Sequence, residues 1–175
     1  MAWEIDPFHS LVEFSVRHLA ITTVKGRFSE VHGTIHLDPQ YPERCWVKAQ
    51  IEAATIQTGA PQRDAHLRSA DFFEVARYPT ITFESTQVRP QDQQRAILDG
   101  DLTLHGVTKP VSFYVMYTGQ SQDPFTGGWR AGLCGTTMID RREFYMSFNQ
   151  KSDMGSLVVG YEVRIDITVE AVFMG

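Results

Sequence analysis

The chain has 175 residues, of which 42% are hydrophobic, and a formal net charge of -5. This length and apolar content fit a single domain over residues 1–175 with room for a full core. The acidic balance and the lack of any run of basic residues argue against a nucleic-acid partner or an anionic membrane surface. No stretch approaches the roughly 20 apolar residues of a membrane span, so no integral membrane segment is expected.

The N-terminus leads from Met1 into polar and aromatic residues, without a cationic region followed by an apolar run. The chain as given therefore predicts a cytoplasmic location, or a periplasmic one if a leader has been removed. Cys45 and Cys134 are far apart in the sequence. We expect two reduced thiols rather than a disulfide.

Alternation of apolar and polar residues predicts strands along most of the chain. In chain order, the apolar positions of these runs are Val12, Phe14 and Val16; Val24, Gly26 and Phe28; Val31, Gly33, Ile35 and Leu37; Val47, Ala49, Ile51 and Ala53; Ile81 and Phe83; Leu98, Gly100, Leu102 and Leu104; Val111, Phe113, Val115 and Tyr117; Trp129 to Ile139; and Tyr161 to Phe173. The parity of the apolar positions changes between Phe28 and Val31, which predicts a β-bulge near Ser29 and Glu30.

If residues 24–37 count as one bulged strand, the sequence contains about eight strands joined by short turns. Several of these strands exceed the usual five or six residues, which favours a closed barrel of tilted strands over a sandwich. The prediction is an all-β, eight-stranded antiparallel barrel. One short helix is expected around residues 61–69, where Pro61 suits the first helical position.

The interior of an eight-stranded barrel is wide enough either to be filled by side chains or to hold one small ligand. Small residues occur at several predicted inward positions, namely Gly26, Gly33, Ala49, Ala53, Gly100, Ala131 and Gly135. They either leave space for a ligand or serve the taper and corners of the barrel. In the same way, the short helix either plugs one end or gates an occupied interior.

Motifs of common catalytic and metal sites are absent from the sequence, including G-x-S-x-G, H-E-x-x-H, C-x-x-C and a phosphate-binding glycine loop. His32 and His36 are four residues apart on a predicted strand, about 13 Å, which is too far for two ligands of one zinc ion. No metal site is therefore expected. His9 and His18 lack a discernible third member of a triad, which favours structural roles.

The predicted helix carries three cationic side chains, Arg63, His66 and Arg68. They would form a cationic mouth for an acidic head group, because a guanidinium fork matches phosphate and carboxylate. The simpler alternative is that Asp64 pairs with Arg68 one helical turn away.

Five segments in order along nearly the whole chain carry a resemblance to a known family. They are Trp3 to Leu19 with its Ile5-Asp6-Pro7 and His9-Ser10 pairs, Val24-Lys25-Gly26-x-Phe28, residues 63–85, Gly100 to Val111, and Ile139-Asp140-Arg141. Together they resemble the YceI-like family. The resemblance implies a lipocalin-like antiparallel barrel whose apolar tunnel binds a long-chain amphiphile, typically a polyisoprenoid or fatty amide, often as a homodimer. The chain departs from the family at Tyr145, where glycine is usual, and at Phe148, where tryptophan is common, and both changes are expected to reshape the tunnel.

We therefore predict non-catalytic binding, transport or storage of a long-chain amphiphilic lipid, such as a polyisoprenoid, a prenyl quinone or a fatty acid or amide. No metal or redox cofactor is expected. The predicted ligand-binding residues are Phe14, Val16, Phe28, Val47, Ile51, Phe72, Phe73, Phe83, Gly100, Leu102, Leu104, Phe113, Val115, Ile139, Tyr161 and Val163.

The sequence is also compatible with two other functions. The first is an enzyme acting on such a lipid, with His9, His18 or His66 as general base. The second is a scaffold with a dry, packed barrel and a functional outer face. We also expect a homodimer, because apolar side chains occupy outward positions of predicted strands. These outward residues are Trp46, Tyr114 and Met116.

Overall fold

The computed structural model describes residues 1–150 and 157–175. Its strands are β1 (Ala2–Ile5), β2 (Leu11–His18), β3 (Thr22–Phe28), β4 (Val31–His36), β5 (Trp46–Glu52), β6 (Ile56–Gln57), β7 (Thr80–Pro90), β8 (Arg95–Leu104), β9 (Val107–Gln122), β10 (Trp129–Asp140) and β11 (Val159–Phe173). The helix α1 spans Pro61–Arg68, and short 3-10 turns cover Pro7–His9, Pro42–Arg44, Ala53–Thr55 and Arg141–Phe144. Each neighbouring pair of strands is antiparallel.

The sheet closes because β1 pairs with strands on both of its sides. Trp3 lies opposite Ile35 of β4 and also opposite Phe173 of β11. The pairs β1 and β2, β3 and β4, and β5 and β6 each form one interrupted strand, since β2 pairs with β3 where β1 pairs with β4. Counted in this way, the sheet is the closed eight-stranded antiparallel barrel that the sequence predicts.

The interruption between β3 and β4 lies at Ser29 and Glu30, where the sequence predicts a bulge. Phe28 and Val31 are both buried on either side of it. The step from Phe28 to Val31 is three residues instead of two, and this one extra residue returns the apolar side chains to the inner face after the change of parity.

The barrel has two distinct ends. The end that we call the helix end holds α1 and residues 69–78, which connect β6 to β7, together with the β8–β9 turn and residues 141–150 after β10. The opposite end, called here the turn end, holds the β9–β10 turn and both termini. Among the residues that the structure describes, no helix is long and apolar enough to cross a membrane.

The helix α1 begins at Pro61, as predicted. Asp64, however, does not form an ion pair with Arg68. The buried Asp64 carboxylate accepts hydrogen bonds from the backbone N–H and the hydroxyl of Thr58. It therefore ties the preceding loop to the helix, which explains why the i, i+4 pair predicted from the sequence is not formed.

Glycines on the inner face accommodate aromatic rings from the neighbouring strands. A Cβ at Gly26 would overlap the ring of Phe14, and one at Gly100 would overlap the ring of Phe83. The space beside these two glycines is filled by aromatic rings, so neither of them leaves room for a ligand.

Candidate functional site

The barrel encloses an apolar cavity of about 200 Å³. Among its described lining residues, only Thr82, Cys134 and Arg141 have a hydroxyl, thiol or nitrogen in the side chain, and strand alternation puts the side chains of Thr82 and Cys134 on the outer face. Engineered apolar cavities of about 150 Å³ stay dry and bind apolar molecules. A larger cavity with a lining of this composition is suited to an apolar ligand.

The cavity follows the barrel along most of its length. On β11 the lining extends from Val159 to Val169, ten steps of roughly 3.4 Å along the strand. Phe72 and Phe73 line it at the helix end, and Leu98 lines it towards the turn end. A small volume distributed over this length makes the cavity narrow, which favours an extended chain over a compact ring system.

Fourteen of the sixteen predicted ligand-binding residues line the cavity. They are Phe14, Val16, Phe28, Val47, Ile51, Phe72, Phe73, Phe83, Leu102, Leu104, Phe113, Val115, Ile139 and Val163. Their contact with a ligand stays a prediction.

The other two, Gly100 and Tyr161, are placed outside the lining, and each has a physical reason. The ring of Phe83 covers Gly100 and separates it from the cavity. Tyr161 lies where the pairing of β11 with β2 changes register, between Val159 and Val163. Its ring is covered by the guanidinium of Arg141 at 4.8 Å, so the simple alternation that predicts an inward Tyr161 fails at this point.

Several lining residues are missing from the sequence prediction. Most lie on the same apolar faces and follow from the same alternation: Ile5, Val12, Val31, Ile35, Ala49, Ile81, Leu98, Leu133, Ile165, Ile167 and Val169. Leu67 lines the cavity from α1, whereas Arg141, Met146 and Val159 come from the chain between β10 and β11 and the start of β11. No periodic pattern predicts the last three.

The helix end is closed by an aromatic cluster. Phe72, which is buried, packs edge-on against Phe148 with ring centroids 5.5 Å apart, and His66 packs against both rings at 5.1 Å. Phe148 therefore contacts Phe72, which lines the cavity, and does not itself belong to the lining. Tyr145 is 74% exposed and has a left-handed backbone (φ 58°), a conformation that favours glycine, the residue that the family resemblance implies at this position. It lies outside the lining, so the expectation that Tyr145 reshapes the tunnel is wrong.

Arg141 is the one cation in the described lining, and only 3% of it is exposed. Its guanidinium donates to the backbone carbonyls of Met146, Val159 (3.2 Å) and Gly160 (2.9 Å). Within residues 1–150 and 157–175, no carboxylate lies within ion-pair distance of it. Burial lowers the pKa of this guanidinium. Arg141 therefore fastens residues 141–146 to the start of β11, and the Ile139-Asp140-Arg141 motif is the only sequence signal for it.

The three head-group candidates lie on α1, outside the cavity lining. Arg63 donates to the hydroxyl and the carbonyl of Thr58, both at 2.7 Å, and His66 binds Asp71 at 2.8 Å. Arg68 is half-buried at the end of α1. A head-group role for them stays a prediction and would place the head outside the barrel.

The histidines proposed as a general base are separated from the cavity and from one another. His9 lies in a turn near the turn end, whereas His18 ends β2 and His66 lies on α1. None of the three belongs to the described lining.

The one group of three potential metal ligands in the described part of the chain consists of Asp6, His9 and Glu170. Arg130 Nη1 lies 2.8 Å from Asp6 Oδ2 and 2.6 Å from Glu170 Oε1. Arg130 pairs with both carboxylates, so these residues form an ion-pair network in the described part of the chain.

The predicted dimer residues are exposed but do not form one patch. Tyr114 and Met116 share the outer face of β9, opposite Thr136 and Cys134 of β10. Trp46 lies on β5, where it stacks on His36, and β7 and β8 separate it from β9. Cys45 and Cys134 are free thiols, as expected.

Comparison with known proteins agrees with this architecture. Residues 3–171 match the YceI-like domain family. A UPF0312 protein of Azotobacter vinelandii is 37% identical over 164 residues, which cover 94% of this chain and 82% of that protein.

Two solved structures share the fold. Burkholderia cenocepacia BcnA superposes with a TM-score of 0.83 at 20% identity, covering 95% of this chain and 98% of its own. A domain from Saccharophagus degradans, described as polyisoprenoid-binding and implicated in plant cell wall breakdown, gives a TM-score of 0.69 at 17% identity, with 97% of each chain covered. With the matched family covering nearly its whole length, this chain belongs to the YceI-like family.

Proposed function

We propose that the protein binds a long-chain amphiphilic lipid, such as a polyisoprenoid, a prenyl quinone or a fatty acid or amide, inside the barrel and does not transform it. The observation that carries this proposal is the long cavity with an almost entirely apolar lining. The polyisoprenoid-binding description of the domain from Saccharophagus degradans supports the same ligand class. Transport or storage of the lipid is the corresponding role.

The apolar tail of the proposed ligand supplies the binding energy. Burial of a CH2 group contributes about 0.8 kcal/mol, so a five-carbon isoprene unit gains up to ~4 kcal/mol before ordering costs are subtracted. Each further unit inside the tunnel adds to this gain. The polar head then determines which lipid is chosen rather than how tightly its tail is held.

A binding role is favoured over catalysis because the lining formed by residues 1–150 and 157–175 offers no general acid–base pair. The only polar side chains among its described residues belong to Thr82, Cys134 and Arg141; the first two lie on outward positions of their strands, and the guanidinium is already bound to three carbonyls. An enzyme would need His9, His18 or His66 to reach a ligand that lies inside the barrel. Incubation with the extracted ligand, followed by mass spectrometry, tests this point, and a new product would contradict the binding role.

The length of the accepted tail tests the location of the site. Leu133 lines the cavity towards the turn end and Val163 lines it towards the helix end. A tryptophan at either position would occupy part of the tunnel. We expect Leu133→Trp and Val163→Trp to shorten the longest fatty acid that displaces a dansyl-labelled fatty acid from the protein.

Met138→Trp is the matched control, because Met138 lies on the same strand as Leu133 and is exposed. It should leave the chain-length profile unchanged. Each variant is first compared with the parent protein by far-ultraviolet circular dichroism. Folded Leu133→Trp and Val163→Trp proteins with the parental chain-length profile would show that the tail does not lie in this cavity.

A further inference from the structure

The tripeptide Asp-Pro-Phe occurs twice at the turn end, at residues 6–8 and 123–125. Both copies form the same local structure, in which the aspartate accepts a hydrogen bond from the backbone N–H of the phenylalanine. The distances are 2.9 Å from Phe8 N to Asp6 Oδ1 and 2.8 Å from Phe125 N to Asp123 Oδ1. Phe8 is 91% exposed and Phe125 is 96% exposed.

A single guanidinium joins the two turns. Arg130 Nη1 lies 2.8 Å from Asp6 Oδ2, and its Nε lies 3.0 Å from Asp123 Oδ2. The proline in each tripeptide fixes one backbone dihedral. The two phenyl rings therefore project from turns that are held together in advance, so little additional ordering is required when they bind a partner.

Two fully exposed phenylalanines on neighbouring turns are unfavourable in water, and the fold does not bury them. Trp129, the residue before Arg130, is also 44% exposed. The charged groups around the rings are the carboxylates of Asp6, Asp123 and Glu170, which share Arg130, and the imidazole of His9. This excess of carboxylates, with the net charge of -5, is incompatible with an anionic partner.

We propose that the turn end docks on an uncharged, zwitterionic lipid bilayer, with Phe8 and Phe125 inserted at the interface. Single rings at two separate turn tips fit insertion among acyl chains better than they fit the continuous packed patch of a protein interface. Trp129 is positioned to lie at the head-group level, where tryptophan is enriched. The choice of a bilayer rests on the proposed lipid-binding function, because a carrier must exchange its ligand with a lipid phase.

Vesicle flotation tests the proposal with the full chain. The parent protein is mixed with phosphatidylcholine vesicles and compared with the double variant Phe8→Ser with Phe125→Ser. Ile21→Ser is the control, because Ile21 is 73% exposed but lies in the β2–β3 turn at the helix end. We expect the double variant to lose at least about tenfold in partition coefficient, since two buried rings are removed from the interface. The control should float like the parent, and phosphatidylglycerol in the vesicles should weaken binding.

Equal flotation of the parent and the double variant would overturn the proposal, as would a parent protein that does not float. A third outcome would also overturn the proposal. In it, the parent does not float but forms a dimer in light scattering, and the double variant does not form this dimer. The two rings would then belong to an interface with a second copy of the chain. Displacement of a dansyl-labelled fatty acid without vesicles reports on the cavity separately. The double variant should displace the labelled fatty acid with the same curve as the parent. If the parent floats with vesicles but no added lipid displaces the labelled fatty acid, the proposed function is contradicted and the docking surface is still supported.

Discussion

The ring of Phe83 lies over Gly100. A Cβ at residue 100 would overlap Phe83 Cζ and would lie 2.6 Å from the backbone oxygen of Glu84. Phe83 also packs edge-on against Phe113, with ring centroids 5.2 Å apart, and both rings line the cavity. Because Gly100 has no side chain, the Phe83 ring can lie against it in the cavity wall. The space beside Gly100 is therefore occupied by protein and not available to a ligand.

Gly100→Ala should destabilise the barrel by about 1–3 kcal/mol, because Phe83 must leave its position to make room for the methyl group. Thermal unfolding measures this change. Gly128→Ala is the control, since the nearest atom to its added Cβ is 3.5 Å away. Equal melting temperatures for the parent and Gly100→Ala would contradict the packing seen between Phe83 and Gly100.

Arg141→Met should destabilise the protein by about 2–4 kcal/mol, because three backbone carbonyls lose a charged donor at the helix end. Urea unfolding followed by circular dichroism gives the value. Arg142→Met provides the comparison, since Arg142 covers the same Tyr161 ring but is exposed and pairs with Asp140. A midpoint for Arg141→Met as high as that for Arg142→Met would show that Arg141 does not fasten this end.

The lowered pKa of Asp6 predicts how the stability of the fold depends on pH. Burial on its own raises the pKa of this carboxyl, but hydrogen bonds from Arg130 and His9 outweigh it and lower the pKa from 3.8 to about 2. Because the folded pKa lies below the unfolded one, the stabilisation is present above about pH 4 and is lost as the pH falls towards 2.

Asp6→Asn should therefore be less stable than the parent at pH 6, and the difference should shrink between pH 4 and pH 2. Denaturant unfolding at a series of pH values follows it. A difference that stays constant over this range would mean that ionisation of Asp6 does not stabilise the fold.

The expected homodimer depends on the outer face of β9, where Tyr114 and Met116 are exposed. Tyr114→Glu with Met116→Glu should convert a dimer to a monomer in light scattering at micromolar concentration, because charge disfavours an apolar interface. Trp46→Glu should have a smaller effect, since Trp46 lies on β5. A parent protein that is a monomer at this concentration would contradict the expected homodimer.

Alternation predicts the barrel well because one face of each strand must be buried, and this rule gives Phe14, Val47, Phe113 and Ile139 as lining residues. The rule fails at Tyr161, because the pairing of β11 with β2 changes register there and the residue types do not indicate this change.

Arg141 illustrates a second limit of the sequence. Its three acceptors are backbone carbonyls of Met146, Val159 and Gly160, and any residue type supplies a carbonyl. The pairing of the two Asp-Pro-Phe turns likewise depends on Arg130, which only the antiparallel register of β10 brings to Asp6.

Organic extraction of protein purified without detergent, followed by mass spectrometry of the extract, tests most directly whether the barrel holds a lipid. We expect a long-chain amphiphile in amounts that approach one molecule per chain, and a lower amount in folded Val163→Trp protein. A clean extract, together with no binding of added prenyl alcohol or fatty acid, would contradict a lipid-binding cavity.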